Sequence, residues 1–271
     1  MVARNITADE LSDVAQALDH DGFVVFRDVV STEKLDGLAT ALFDEFDRAT
    51  VAGELFEGGG FLSGHLNCYP GEAARFVWDE ISDFGIVDLV RQVRPDIVDS
   101  VRATLNFNLP GSVAQHYHTD GVYLKDFLIC NVAVVDTSLE NGAIDVLPGT
   151  NREFYKFWRY AAERKYRLTT RVPLNQGDVI LRKSTLWHRG MPNNTTTPRP
   201  MMAITFGEVE DTDRTADPFA AYDGKILFYP NWYNTSKLGQ LRERVFVTAP
   251  ISYSAYRFAR SLYGNKGYAS F

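Results

Sequence analysis

Cysteine is scarce: Cys68 and Cys130 are the only two in 271 residues, which leaves no material for a cysteine-rich zinc site. For the pair itself the alternatives are a disulfide and two free thiols. Apolar or aromatic surroundings and a reducing setting favour buried thiols. Cationic clusters are missing too. The chain carries 28 Lys+Arg against 35 Asp+Glu, a net charge of −7, without a basic stripe, so no nucleic-acid partner is expected. No apolar run reaches membrane-spanning length, so no membrane partner is expected. The opening Met1-Val2-Ala3-Arg4-Asn5 lacks the apolar core of a signal peptide, which points to a cytoplasmic protein. No Ser/Gly/Pro-rich linker, repeat or low-complexity tract divides the sequence. With 45% hydrophobic residues, one domain over 1–271 is expected. Its parts are helical support over about 1–100, a strand-rich core over about 101–207 and an extension over about 208–271.

What is present has a clear order. Thr7-Ala8-Asp9-Glu10 fits a capping box, and Leu11, Val14, Ala15 and Leu18 follow at helical spacing up to Gly22. Phe23 to Phe26 reads as a strand. Ser31 caps a second helix with a stripe from Leu35 to Phe46. Residues 51–75, punctuated by Gly58-Gly59-Gly60 and Gly64, read as a loop containing His65, Asn67 and Tyr69. That loop is either a substrate wall or a plain surface connection. Residues 83–100 hold one amphipathic helix. From Thr104 onward, short strands alternate with turns: Thr104–Leu109, Val113–His118, Phe127–Val135, Ala143–Leu147, Arg171–Pro173, Asp178–Leu181 and Met201–Phe206. Such spacing indicates a sandwich or barrel of jelly-roll type. Residues 153–166 form a helical insert, and a last helix spans about 251–263. Residues 208–240 read as mostly irregular.

The chemistry concentrates in Gln115-His116-Tyr117-His118-Thr119-Asp120-Gly121, with Trp187-His188 and Arg199 arriving later. Strand side chains alternate, so His118 and Asp120 project to one side. A second imidazole, His188, completes a two-His, one-carboxylate set of the kind that holds iron(II) with open positions on the far face. His188 ends one strand, a turn-rich loop follows, and Arg199 opens the next. A hairpin of that form places both at the same end of two antiparallel neighbours. Arginine grips carboxylates in a two-pronged, charge-assisted way, so a chelating 2-oxo acid fits beside the metal. Of the five histidines, His20 ends a helix and reads as structural. His116 reads as a ligand's neighbour or substrate wall. Asn106 and Asn108 sit on an adjacent strand; whichever faces inward touches co-substrate or substrate, and the other reading for each is an outward polar group. Gln115, Thr185 and His65 are similar cases, and Trp187 reads as core.

These residues together resemble the phytanoyl-CoA dioxygenase family of iron(II)/2-oxoglutarate oxygenases. His118-Thr119-Asp120 matches its His-x-Asp, His188 its distal histidine, and Arg199 its oxoglutarate-binding arginine. Asn141-Gly142-Ala143-Ile144 through Pro148-Gly149-Thr150 and Asp21-Gly22-Phe23 resemble further family segments. Two positions depart: Asn151 stands where many members have histidine, and Gly190 where some carry serine, taking away a hydroxyl contact to oxoglutarate.

The resemblance implies a mainly β, α+β fold: a double-stranded β-helix (jelly roll, cupin-like) core flanked by N-terminal helices. It implies Fe(II), 2-oxoglutarate and O2 as cofactor and co-substrates, with succinate and carbon dioxide released. Metal ligands would be His118, Asp120 and His188. Arg199, with Asn106 and Thr185, would hold the co-substrate. His116, Gln115, Asn108 and His65 would face a small-molecule substrate. Asp120 fills the place that is small in related halogenases, so hydroxylation of an unactivated C–H bond is expected. Desaturation, cyclisation or epoxidation would use the same ligands. The rival readings are a metal-dependent isomerase, a dioxygenase without oxoglutarate, and a non-catalytic metal-binding jelly roll. Substrate identity and oligomeric state stay open.

Overall fold

In the computed structural model, residues 8–55, 62–207, 217–229 and 237–263 are described. Helix α1 (Ala8–His20) turns Leu11, Val14 and Leu18 into the core and stops at Gly22, whose φ of +85° suits glycine. Strand β1 (Phe23–Phe26) leads to α2 (Thr32–Ala52), which Ser31 caps by accepting from the Lys34 N–H. Then come β2 (His65–Tyr69), α3 (Arg75–Asp83), α4 (Ile86–Val93), β3 (Val101–Asn108) and β4 (Leu128–Ala133). Strand β5 (Ile144–Val146), helix α5 (Phe157–Ala162) and strand β6 (Thr170–Val172) follow. The chain continues as β7 (Val179–Lys183), β8 (His188–Arg189), β9 (Arg199–Phe206) and β10 (Leu227–Tyr229). It closes with α6 (Lys237–Thr248) and α7 (Pro250–Leu262). No described helix is long and apolar enough to cross a membrane.

The strands form a seven-stranded sheet in the order β1-β7-β4-β9-β3-β2-β10 and a three-stranded sheet in the order β6-β5-β8. Alternation along the large sheet separates two environments. One face sets Leu66, Cys68, Ala103, Leu105, Phe107, Leu128, Cys130, Val132, Met202, Ile204 and Phe206 against the helices in one large apolar cluster. Each large side chain buried there contributes about 1.5–3 kcal/mol. The opposite face meets the small sheet through a smaller cluster of Ala133, Ile144, Val146, Val172, Leu174, Ile180, Leu186 and Met201. The fold is therefore mainly antiparallel β with flanking helices, two facing sheets without barrel closure. Cys68 and Cys130 are buried free thiols.

Several expectations are corrected. Within the stretch read as a loop, residues 65–69 form a strand paired with both β3 and β10. Its alternation of Leu66 and Cys68 against His65, Asn67 and Tyr69 is masked in the sequence by neighbouring glycines. The expected strand over Val113–His118 has no ladder: within it only His118 forms a bridge, while the Val113 and Gln115 N–H groups donate to the Ser63 and Gly190 carbonyls. The helix expected over 83–100 is present but shorter, as α4 over Ile86–Val93, set off from α3 by Gly85 (φ +99°). The hairpin joining His188 to Arg199 does not exist, because β8 pairs with β5 in the small sheet while β9 lies in the large one. Thr7 of the capping box, Gly58-Gly59-Gly60 and residues 230–236 lie outside the described residues.

Candidate metal centre

His118 and His188 face each other across an isolated bridge, with reciprocal N–H to carbonyl hydrogen bonds of 3.0 Å. That pairing holds the imidazoles side by side, ring centroids 4.5 Å apart. His118 Nδ1 donates to the His116 carbonyl at 2.7 Å and His188 Nδ1 to the Leu186 carbonyl at 3.0 Å. A proton on each Nδ1 leaves each Nε2 with a lone pair. Both face Asp120: His118 Nε2 is 3.8 Å from Oδ1 and His188 Nε2 is 3.4 Å from Oδ2. The three potential donors lie within 4.8 Å of one another, and no second such cluster occurs among the described residues.

The protonation states suit a cation. Burial pushes His118 down, and burial followed by the Arg182 charge pushes His188 down to about 3. Both imidazoles are thus neutral near pH 7, as ligands must be. Burial would raise the Asp120 carboxyl, but His188, Arg182 and His118 outweigh it and hold the group well below the usual carboxylate range.

Arg199 opens β9 directly opposite Asn108 of β3. It is 4% exposed, and among the described residues no carboxylate pairs with it. One Nη2–H reaches the Gly142 carbonyl at 3.2 Å, while Nε has no partner. Burial lowers its pKa to about 10, so the guanidinium remains charged at neutral pH. Asn108 donates through Nδ2 to the Met191 carbonyl at 3.0 Å, and its Oδ1 is likewise unsatisfied. Gly142 (φ +91°) makes this corner possible, since a Cβ there would lie 2.6 Å from Asn108 Nδ2.

His65 of β2 lies opposite Asn108, which lies opposite Arg199, so the three form one row across β2, β3 and β9. The His65 Nε2 donates to the Val113 carbonyl at 2.8 Å, and the Asn106 side chain also bonds this imidazole. Burial lowers its pKa to about 4. Gln115 accepts the Gly190 N–H through Oε1 at 2.8 Å. A Cβ on Gly190 would lie 2.8 Å from His65 Cε1 and 2.9 Å from Gln115 Oε1. The glycine at the position where some members carry serine thus leaves room for His65 and Gln115, one of which would have to shift for a Cβ. Asn106 and Asn108, two residues apart on β3, share the face opposite the apolar cluster, so the choice between them dissolves.

His116 packs against Tyr253 of α7, centroids 4.5 Å apart. Thr185, whose buried hydroxyl has no hydrogen-bond partner, lines a small pocket with Thr119, Tyr123, Tyr155 and Trp187. Trp187 is core, stacked with Tyr160 and Phe157. Asn151 is structural, donating to the Leu18 and Asp19 carbonyls at the end of α1. The sequence reading missed Arg182, which donates to Asp120 Oδ2 at 2.7 Å, and Arg257, whose Nη2 donates to the Tyr117 carbonyl at 2.7 Å. A charge at an inward position of β7, directly after the apolar Val179–Leu181, was the available sign of the first.

The fold is shared by a broad group of solved proteins. The epimerase SnoN, in complex with Fe3+, alpha ketoglutarate and nogalamycin RO, superposes with a TM-score of 0.56 at 17% identity, covering 74% of this chain and 84% of that one. EctD from S. alaskensis, in its apoform, gives a TM-score of 0.57 at 20% identity over 76% of this chain and 81% of that one. HygX from Streptomyces hygroscopicus, with nickel and 2-oxoglutarate bound, gives 0.52 at 17% identity over 76% and 94%. These likenesses establish the fold. The family model described as Phytanoyl-CoA dioxygenase (PhyH) matches residues 18–201, more than half of the sequence. The chain belongs to that family.

Proposed function

We propose that this chain is an Fe(II)- and 2-oxoglutarate-dependent oxygenase. It hydroxylates an unactivated C–H bond of a small metabolite or natural-product intermediate and releases succinate and carbon dioxide. The observation that carries the reading is Arg199. A buried guanidinium without a carboxylate is costly, and this one stands in one cross-strand row with Asn108 and His65, the latter lying against Gly190 two residues past the metal-site His188. A dicarboxylic 2-oxo acid answers both needs.

The residues fit the group they would hold. His118 and His188 through Nε2 and Asp120 through a carboxylate oxygen would take the iron, a donor set that leaves positions for a chelating co-substrate and dioxygen. Iron so loaded supplies the oxidising power to break a C–H bond. Arg199 fixes the far carboxylate of oxoglutarate, and Asn108 lies beside it. His65, held neutral, and Gln115 wall the pocket without adding charge. Two buried free cysteines, Cys68 and Cys130, support a cytoplasmic setting. The epimerase SnoN and the carbocyclase SnoK share the fold, so product analysis decides between hydroxylation and desaturation, cyclisation or epoxidation.

Anaerobic Fe(II) followed by oxoglutarate should give a weak visible charge-transfer band in the wild-type protein. Arg199→Ala should bind iron and lose most of the oxoglutarate-dependent absorbance. Iron-bound wild-type protein with no such band would end the assignment.

A further inference from the structure

Asp120 is gripped from two directions by one short stretch of chain. Its backbone N–H donates to the Ser184 carbonyl at 2.9 Å, and its Oδ2 accepts from Arg182 Nη2 at 2.7 Å. The same stretch then delivers His188. Arg182, 4% exposed, is itself pinned: its Nε donates to Asn131 Oδ1 at 2.8 Å on neighbouring β4. The inward positions around it, Ile180, Ala133 and Met201, are apolar. A buried ion pair kept only for stability is often matched or bettered by apolar packing. A guanidinium retained among such neighbours, with one arm on a backbone-anchored carboxylate, points to a task performed through that carboxylate.

We propose that Arg182 is a positioning residue for the metal. It occupies Oδ2 of Asp120 and leaves Oδ1 to the cation, so the carboxylate binds through one oxygen and does not take a position the co-substrate needs. The inference rests on the oxygenase reading above. One effect opposes it: a guanidinium near the site repels a cation. Arg182→Lys separates the two, because lysine keeps the charge and loses the planar fork that spans Asn131 and Asp120.

The test is Mn(II) titration of the whole protein without oxoglutarate, following free Mn(II) by electron paramagnetic resonance. Arg182→Lys should weaken Mn(II) binding by roughly 10- to 100-fold, the range typical of residues that orient a ligand. Asn131→Ala, which loosens Arg182 without touching Asp120, should weaken it less. Co(II)-loaded Arg182→Lys should show altered visible bands, a change that lost stability alone does not produce. Folded Arg182→Lys with wild-type Mn(II) affinity and an unchanged Co(II) spectrum overturns the proposal. Should that variant not fold, unchanged affinity in Asn131→Ala overturns it instead. Wild-type protein that binds no Mn(II) overturns the oxygenase reading along with it.

Discussion

Along β9, Met202, Ile204 and Phe206 enter the helix-covered cluster, while Arg199 and Met201 at alternate positions face the small sheet. Along β7, Val179 and Leu181 take the first side, and Ile180 and Arg182 the second. The two faces of one sheet are thus both buried, but only the second mixes charged side chains with its apolar ones. The helix side is apolar throughout this cluster and stabilises the fold. The other side holds two nearly inaccessible arginines, one satisfied by Asp120 and one left without an anion. Cooperative stability and binding chemistry are divided by the two-residue period of a strand.

The largest effect expected to test this division is on the helix side. Phe107→Ala, at a residue with 0% exposure, should cost about 3–5 kcal/mol by the cavity it leaves. Thermal unfolding reads that loss, and metal affinity of the folded variant should be unchanged. Weakened metal binding without a fall in Tm would erase the distinction between the faces.

The next effect follows pH. His65 titrates near 4 when folded, against an ordinary value of 6.5. Between those values the unfolded chain binds a proton that the native one refuses. Stability is therefore full above about pH 6.5 and declines toward pH 4, by about 3 kcal/mol in total. His65→Asn should flatten that part of the Tm-against-pH curve, and a parallel slope in wild type and variant would count against a buried neutral imidazole.

Arg199→Met gives the smallest change in stability and the sharpest comparison. Removing an uncompensated buried charge should leave the metal-free protein as stable or up to about 2 kcal/mol more so. Oxoglutarate binding should weaken by about a hundredfold as a charge-assisted contact is lost. Denaturant unfolding and a co-substrate titration read the two effects, and a destabilised variant would mean that Arg199 holds the fold and not a ligand.

Much of this was legible in the sequence, for local reasons. His118 and Asp120 do converge, as alternation suggested, although the chain there forms only a single bridge at His118, and Phe127–Val135 announces a strand buried on both faces by its near-continuous apolar run. The same rule places Asn106 and Asn108 together, a conclusion the sequence permits. What was not legible depends on distant partners. The loop between His188 and Arg199 invites a hairpin, yet the chain crosses from one sheet to the other. Arg182 and Asp120 meet across 62 positions, and Arg257 reaches the Tyr117 carbonyl across 140. Periodicity shows α7 to be amphipathic but not what lies beneath it.

His188 stands in one layer and Arg199 in the other. A molecule grasped by metal and guanidinium together becomes a rung joining the two halves of the sandwich. Its arrival would tighten the body as well as fill a pocket, so heat resistance becomes a gauge of co-substrate supply.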